Sequence, residues 1–176
     1  DPSNPFRVGV FELDTPAHSI HDVWIEDGIA YSSNWNDGVV AVDIGAKKFQ
    51  ESDRSKSQFN PLLARAGNGS PANPVKLAEM GDPTGRNHAA FPFLSESTGN
   101  FYIIAGDENF PWGVLASQGK PSNPRGGYHF LNFTDPDNPK EDAIYEVPEA
   151  GSHNLWIYGD ILLAGNYQAG LRIVDI

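Results

Sequence analysis

Three histidines recur at equivalent positions along the 176-residue chain, and their side chains are the best candidates for chemistry. His21, His88 and His153 each lie five residues after a proline and three residues before an aromatic side chain. Imidazoles brought together from successive repeated units suit a transition metal such as zinc, copper or iron. With a water molecule in an open position, such a site could support hydrolytic or redox chemistry. The spacing therefore predicts a metal site formed by these three histidines.

A structural role for the histidines is the alternative, and the repetition itself favours it. A histidine at a fixed position in a repeated unit can cap a strand by hydrogen-bonding to the backbone of a neighbouring unit. Such a cap would be copied into every unit, whereas a metal site seldom needs every copy. A metal requires imidazole nitrogens at about 2.0–2.2 Å from one ion, and a cap requires hydrogen bonds to backbone.

Six further side chains are predicted to lie near the histidines and to bind a ligand or a partner. They belong to three equivalent loops, NWNDG (34–38), DENFPWG (107–113) and NYQAG (166–170). They are Asn34, Trp35, Asp107, Trp112, Asn166 and Tyr167. In the middle loop Asp107, Glu108 and Asn109 are also candidate calcium ligands, although the chain has no Asp-x-Asp-x-Asp-Gly calcium loop.

A threefold internal repeat carries these residues. Segment 153–176 matches segment 21–44 at nine of 24 positions without a gap. Each unit opens with an x-Pro-x-Asn-Pro segment, at 1–5, 70–74 and 135–139. A short strand-like run follows each segment: FRVGVFEL, VKLAEM and DAIYEV. The histidine segment comes next, so three linked features recur in the same order and chance is a poor explanation.

The repeated unit predicts an all-β fold. Each unit holds four strand candidates rich in β-branched and aromatic residues, separated by Gly, Asn or Asp. Val23 and Ile25 alternate with Trp24, as expected for a strand. Four-stranded units joined by repetition are typical of a β-propeller, whose rings usually have about four to eight blades. We therefore expect three four-stranded blades that form part of a six- or seven-bladed ring; protomers that complete one another are the alternative.

The chain is predicted to be a single propeller segment over residues 1–176. The blades are drawn at about 1–44, 70–134 and 135–176. An insert loop at 45–69 separates the first two, and a second insert at 107–127 lies within the middle blade. The polar, charged composition of the first insert predicts a loop or flap outside the core.

Composition excludes several classes of partner. The net charge of −11 argues against nucleic acid, which requires a basic surface. The absence of cysteine excludes disulfides, thiol catalysis and cysteine metal sites. No apolar run approaches the roughly 18 residues of a membrane span. The expected partners are another protein or the remaining blades of a propeller, with self-association as a further prediction.

The quoted repeats resemble a known family. GLRIVDI and GVVAVDIG are similar to the signature of LVIVD-repeat proteins, and HDVWI and HNLWI, each followed by Asn, an aromatic and Gly, resemble their repeat. FPF…TGNFYIIAGDENFPWG resembles the long insert-bearing blade of some bacterial members. The resemblance covers nearly the whole chain and implies a bacterial β-propeller that is extracellular, periplasmic or on the cell surface. The middle unit departs from the pattern, since YHFLNF replaces the Val-Asp-Ile ending.

Three functions are compatible with these observations. The first and favoured hypothesis is a non-catalytic binding or scaffold module outside the cytoplasm, which presents loops on one face. The second is a metal-dependent enzyme or metal-binding protein that uses the histidines. The third is a structural subunit of a self-assembly. No catalytic residue is assigned, and a transition metal or calcium is the cofactor that the residue types suggest.

Overall fold

The computed structural model describes residues 1–14, 19–48, 59–81, 83, 86–108, 126–148 and 150–176. Within these residues the predicted all-β class is confirmed, with three antiparallel sheets of four, four and three strands. No helix in the described part of the chain is long and apolar enough to cross a membrane.

Sheet 1 is built from four strands in the spatial order of their numbers. They are β1 (Asp22–Glu26), β2 (Ile29–Ser33), β3 (Val39–Asp43) and β4 (Val75–Met80). Asp27 and Gly28 join β1 to β2 with φ angles of 51° and 77°. A type I′ hairpin turn requires positive φ at both central residues, and Asp-Gly is a favoured pair for it.

Sheets 2 and 3 follow along the chain. Sheet 2 contains β5 (Asn87–Leu94), β6 (Phe101–Asp107), β7 (Gly127–Asn132) and β8 (Lys140–Glu146). Sheet 3 contains β9 (Leu155–Tyr158), β10 (Ile161–Asn166) and β11 (Gly170–Asp175). Short 3-10 helices lie at Pro61–Ala64 and Tyr167–Ala169.

The sheets differ by one strand from the units read in the sequence. The sequence predicts that the strand-like run after each x-Pro-x-Asn-Pro segment is the first strand of its unit. In the structure two of these runs, β4 and β8, are the outer strands of the preceding sheets 1 and 2. Sheet 3 therefore has three strands instead of the predicted four. Residues 6–13 form no strand, since the equivalents of this run pair with a preceding sheet and no described sheet precedes sheet 1.

The core lies on both faces of sheet 2. Tyr31 of sheet 1 packs in one cluster with Ile103 and Leu131 of sheet 2, and all three are fully buried. On the opposite face, Tyr128 packs in a second cluster with Leu162 of sheet 3. Each sheet thus buries an apolar face against its neighbour, which is the main source of favourable free energy in such a fold.

The described end of the 45–69 insert belongs to the core, contrary to the prediction of a loop or flap. Leu62, in the first 3-10 helix, is completely buried. Asn60 caps this helix by accepting a hydrogen bond from the Leu62 amide at 3.0 Å, and its side-chain amide donates to the Tyr31 hydroxyl at 2.7 Å. Apolar residues within a polar segment therefore anchor it to sheet 1.

Asp43, the last residue of β3, holds both ends of this insert. One carboxylate oxygen accepts from the amides of Gly45 and Ala46 at 2.9 and 2.8 Å. The other oxygen accepts hydrogen bonds from the amides of Gly67 and Gly69 at 2.8 Å and from the amide of Asn68 at 3.2 Å. Burial acts to raise the pKa of Asp43, but these N–H groups hold it below its ordinary value.

Removing the Asp43 carboxylate should destabilise the fold. We expect Asp43→Ala to lower the free energy of unfolding by roughly 3 kcal/mol, because several backbone N–H groups lose a charged acceptor. Asp175, at the equivalent position of β11, is exposed and provides a matched control. Asp175→Ala should change stability by less than about 0.5 kcal/mol. Urea unfolding of both variants measures the difference, and equal losses would contradict the capping role.

Candidate functional site

The three repeated histidines lie next to one another, as the sequence predicts. The ring centroids of His21 and His88 are 4.4 Å apart, and those of His88 and His153 are 4.1 Å apart. Each histidine lies at or just before the strand that begins its sheet, namely β1, β5 or β9. We call these residues the histidine cluster.

Backbone contacts fix the position of the cluster. The His21 amide donates to the Ser33 carbonyl at 2.7 Å, and the His153 amide donates to the Gly165 carbonyl at 2.9 Å. His88 lies at a β-bulge, because Asn87 and Ala89 have partners on β6 and the register shifts between them. A bulge re-aims the side chain of the extra residue, and here it directs the His88 ring into the cluster.

A bridge between sheets 1 and 2 supports the same region. The amides of Trp35 and Asn87 each donate to the carbonyl of the other residue at 3.1 Å. The Trp35 backbone has a φ of 50°, and its ring centroid lies 4.1 Å from that of His21. The sequence-predicted Trp35 therefore packs against the histidine cluster.

Glu108 is the acidic member of the site. Its carboxylate oxygens lie 3.7 Å from the Nε2 atoms of His88 and of His153. Ligand atoms of His21, His88 and Glu108 all lie within 4.8 Å of one another. The Tyr167 hydroxyl donates a hydrogen bond to Glu108, and the Tyr167 ring packs at 5.2 Å against His153.

Glu108 occupies the same repeat position as Trp35 and Tyr167. Each of the three comes directly after a buried residue at the end of the second strand of its unit. These buried residues are Asn34, Asp107 and Asn166. Two units thus place an aromatic ring beside their histidine, and the middle unit places a carboxylate there. The sequence predictions named Glu108 only as a calcium ligand; superposing the three loops would have paired it with His88.

The protonation states suit a ligand role. Burial, followed by the neighbouring His153 and His21, lowers the pKa of His88 from 6.5 to about 4, so its ring is neutral at pH 7. The Nδ1 atom of His88 is buried and has no hydrogen-bond partner among the residues that the structure describes. Burial and the adjacent Glu108 carboxylate raise the pKa of Tyr167 to about 12, which keeps its hydroxyl protonated as a donor.

The predicted residues Asn34 and Asn166 have local roles in their turns. The side-chain amide of Asn34 donates to the carbonyls of Ser32 and Gly38 at 2.9 and 3.0 Å. The Asn166 amide donates to the Ala164 carbonyl at 3.0 Å. Both side chains are buried, and neither belongs to the group of converging ligand atoms, which come from His21, His88 and Glu108.

The Asp107 carboxylate binds a fourth histidine. Its Oδ2 lies 2.8 Å from Nε2 of the buried His129, whose Nδ1 lies 2.8 Å from a Glu141 oxygen. An aspartate cannot donate to backbone carbonyls as Asn34 does, and the Asp107 carboxylate is paired with His129 on β7. The predicted residues Trp112 and Asn109 lie outside the described residues.

Chemically, the cluster matches a known type of donor set. Two histidines and one glutamate bind catalytic zinc in several enzymes, and two histidines with a carboxylate also bind non-haem iron(II). No backbone hydrogen bond to the His88 ring is present in the described residues, so the strand-cap interpretation lacks its expected contact there.

Comparisons with protein-family models, curated proteins and solved structures found no match to the chain. The functional argument therefore depends on the site itself.

Burial of neutral His88 makes stability depend on pH. Below about pH 6.5 the unfolded chain binds a proton at this residue, whereas the folded chain does so only near pH 4. The free energy of unfolding should therefore decrease as the pH is lowered from about 6.5 to about 4. His88 contributes up to about 1.4 kcal/mol to this decrease for each pH unit. His88→Gln removes this contribution, so the stability difference between wild type and variant should shrink from pH 7 to pH 4. Urea unfolding at several pH values measures it; a constant difference would contradict the assignment.

Proposed function

We propose that the chain binds one divalent transition-metal ion through His21, His88 and Glu108. The observation that carries this proposal is the convergence of their ligand atoms within 4.8 Å of one another, from three separate segments of the chain. His153 lies beside the same carboxylate and is placed to complete the site or to contact a metal-bound molecule.

Nitrogen donors favour a transition metal over calcium. Calcium takes six to eight oxygen ligands, whereas two of the three converging groups here are imidazoles. Zinc, iron(II) and copper accept imidazole together with carboxylate. The alternative of a calcium site at residues 107–109 is disfavoured because the Asp107 carboxylate binds His129, whereas Glu108 lies with His21 and His88.

Closing the site around an ion requires a small movement. Ligands at about 2.0–2.2 Å from a tetrahedral ion lie roughly 3.4 Å from one another, compared with the present limit of 4.8 Å. His21 is exposed and can rotate, whereas His88 is buried within the bulge of β5. The buried ring therefore provides the fixed ligand, and Tyr167 restrains Glu108 through its hydrogen bond.

Three protein ligands leave a coordination position for water or substrate. A metal ion with such an open position lowers the pKa of the water bound there, which then supplies a nucleophile at neutral pH. Hydrolysis or redox chemistry at the ion is thus the class of activity that the donor set supports.

The proposal also covers the fold that carries the site and its location in the cell. We infer that the three sheets are blades of an LVIVD-type β-propeller located outside the cytoplasm; the support is the repeat motif and the face-to-face packing of antiparallel sheets. The non-catalytic scaffold module stays a prediction. Trp35 and Tyr167, which it assigned to partner binding, pack against the histidine cluster.

Metal binding can be measured directly. We expect the metal-free chain to bind one Zn²⁺ or Co²⁺ per molecule in isothermal titration calorimetry, with the stoichiometry confirmed by mass spectrometry. Glu108→Gln and His88→Gln should each weaken binding by at least about 100-fold, since each removes a direct ligand.

Glu79→Gln is the matched control. Glu79 is an exposed carboxylate paired with Lys76 at 3.0 Å, away from the cluster, so its removal should leave affinity within about twofold. Circular dichroism establishes that each variant is folded. Failure of wild type to bind an ion, or equal affinity of Glu108→Gln and wild type, would overturn the proposal.

A further inference from the structure

His153 belongs to the histidine cluster but not to the group of converging ligand atoms. In the described part of the chain that group comprises His21, His88 and Glu108. The Nε2 atom of His153 lies 3.7 Å from Oε1 of Glu108, whereas the Nε2 atom of His88 lies 3.7 Å from Oε2. The two histidines therefore face different oxygens of the same carboxylate.

The two oxygens of Glu108 have different surroundings. Oε1 accepts the hydrogen bond from the Tyr167 hydroxyl, so Oε2 is the oxygen that is left to bind an ion. An ion at Oε2 lies beside His88, while His153 lies at the other oxygen. His153 is therefore close to the ion without being placed among its ligands.

The His153 ring offers a hydrogen-bond donor to a bound molecule. A carboxylate oxygen only accepts hydrogen bonds, so the imidazole nitrogen that faces it is the one that carries a proton. At 3.7 Å, however, the Nε2 atom of His153 is beyond hydrogen-bond distance from Glu108. No hydrogen bond to the His153 ring is present among the residues that the structure describes. Its N–H group is therefore available.

Backbone and ring contacts hold this donor in place. The His153 amide donates to the Gly165 carbonyl at 2.9 Å and to the Tyr128 hydroxyl at 3.3 Å. The His153 ring packs against His88 at a centroid distance of 4.1 Å and against Tyr167 at 5.2 Å. A donor that is fixed before a ligand arrives loses little conformational entropy on binding, which favours affinity.

Charge favours an anionic oxygen group as the molecule that this donor meets. A divalent ion keeps a net positive charge when Glu108 is its one anionic ligand, since the other ligands are imidazoles. Asp22 also adds negative charge near His88, but its exposed carboxylate is screened by water and salt. Phosphate and carboxylate groups carry one oxygen for the open coordination position and a second oxygen, on the same atom, that accepts a charge-assisted hydrogen bond.

We propose that the open coordination position of the ion takes a phosphate or carboxylate group, and that His153 binds this group by donating from Nε2 to the oxygen that the ion does not hold. The inference rests on the proposed function, because it requires an ion at His21, His88 and Glu108. It restricts the substrate to a molecule that carries an anionic oxygen group, such as a phosphate ester or a carboxylic acid.

The test uses the chain loaded with Co²⁺ and freed of unbound ion by desalting. We expect inorganic phosphate or acetate to bind the loaded chain and to change the visible absorption of the Co²⁺ ion, and neither to bind the metal-free chain. Separate titrations with the two anions distinguish a site for phosphate groups from a site for carboxylates.

Two variants distinguish a hydrogen-bond donor from a packing role. His153→Phe keeps a ring between His88 and Tyr167 but removes the N–H group. It should weaken binding of the anion by about 10- to 100-fold, the loss expected for one hydrogen bond to a charged group. His153→Gln retains an N–H donor and should lose less affinity for the anion. Both variants should bind Co²⁺ within about threefold of wild type, because His153 is not a ligand of the ion.

Tyr158→Phe is the matched control, since Tyr158 is an exposed aromatic residue on β9 outside the cluster. It should bind Co²⁺ and the anion as wild type does, and circular dichroism verifies the fold of all variants. Three results would overturn the inference and leave the metal site intact: no anion binding by the loaded wild type, equal anion affinity in His153→Phe and wild type, or loss of Co²⁺ binding in both His153 variants. A wild type that fails to bind Co²⁺ would overturn the proposed function as well.

Discussion

Burial of both faces of sheet 2 is the constraint on which the remaining structure depends. Because Ile103 and Leu131 pack toward sheet 1 while Tyr128 packs toward sheet 3, the first strands of all three sheets are held side by side. The rings of Trp24, Phe91 and Trp156 on those strands contact one another at 4.4–5.4 Å. The histidines lie three residues earlier, so the same stacking that builds the core also brings the imidazoles together.

The middle repeat departs from its neighbours at several linked positions. Asp107 and Glu108 replace the Asn–aromatic pair of the other units, and His129 on β7 binds the Asp107 carboxylate. Ser152 adds a hydrogen bond to the Asp107 carbonyl at 2.5 Å. A buried carboxylate is costly unless it is paired, so these partners hold the backbone that precedes Glu108. The substitutions therefore act together to place one carboxylate beside the histidines.

Much of the fold was predictable because the repeat is visible in the sequence. The alternation of Val23, Trp24 and Ile25 identified a strand, and the fixed His–aromatic spacing predicted that the histidines would lie together. The sheet that each outer strand joins was not predictable, since β4 follows its own x-Pro-x-Asn-Pro segment yet pairs backward in the chain. The role of Asp107 was also hidden, because its partner His129 lies in YHFLNF, which lacks the Val-Asp-Ile pattern.

Electrostatics explains why a carboxylate and a metal suit this cluster. Burial disfavours a proton on His88, and the neighbouring imidazoles of His153 and His21, with ring centroids about 4 Å away, disfavour it further. The neutral His88 ring presents a lone pair, which attracts a cation. Glu108 contributes the negative charge that offsets part of the charge of a divalent ion, and Tyr167 orients that carboxylate without neutralising it. A site that disfavours a proton on His88 and places a carboxylate beside it therefore favours a metal ion over a proton as its positive charge.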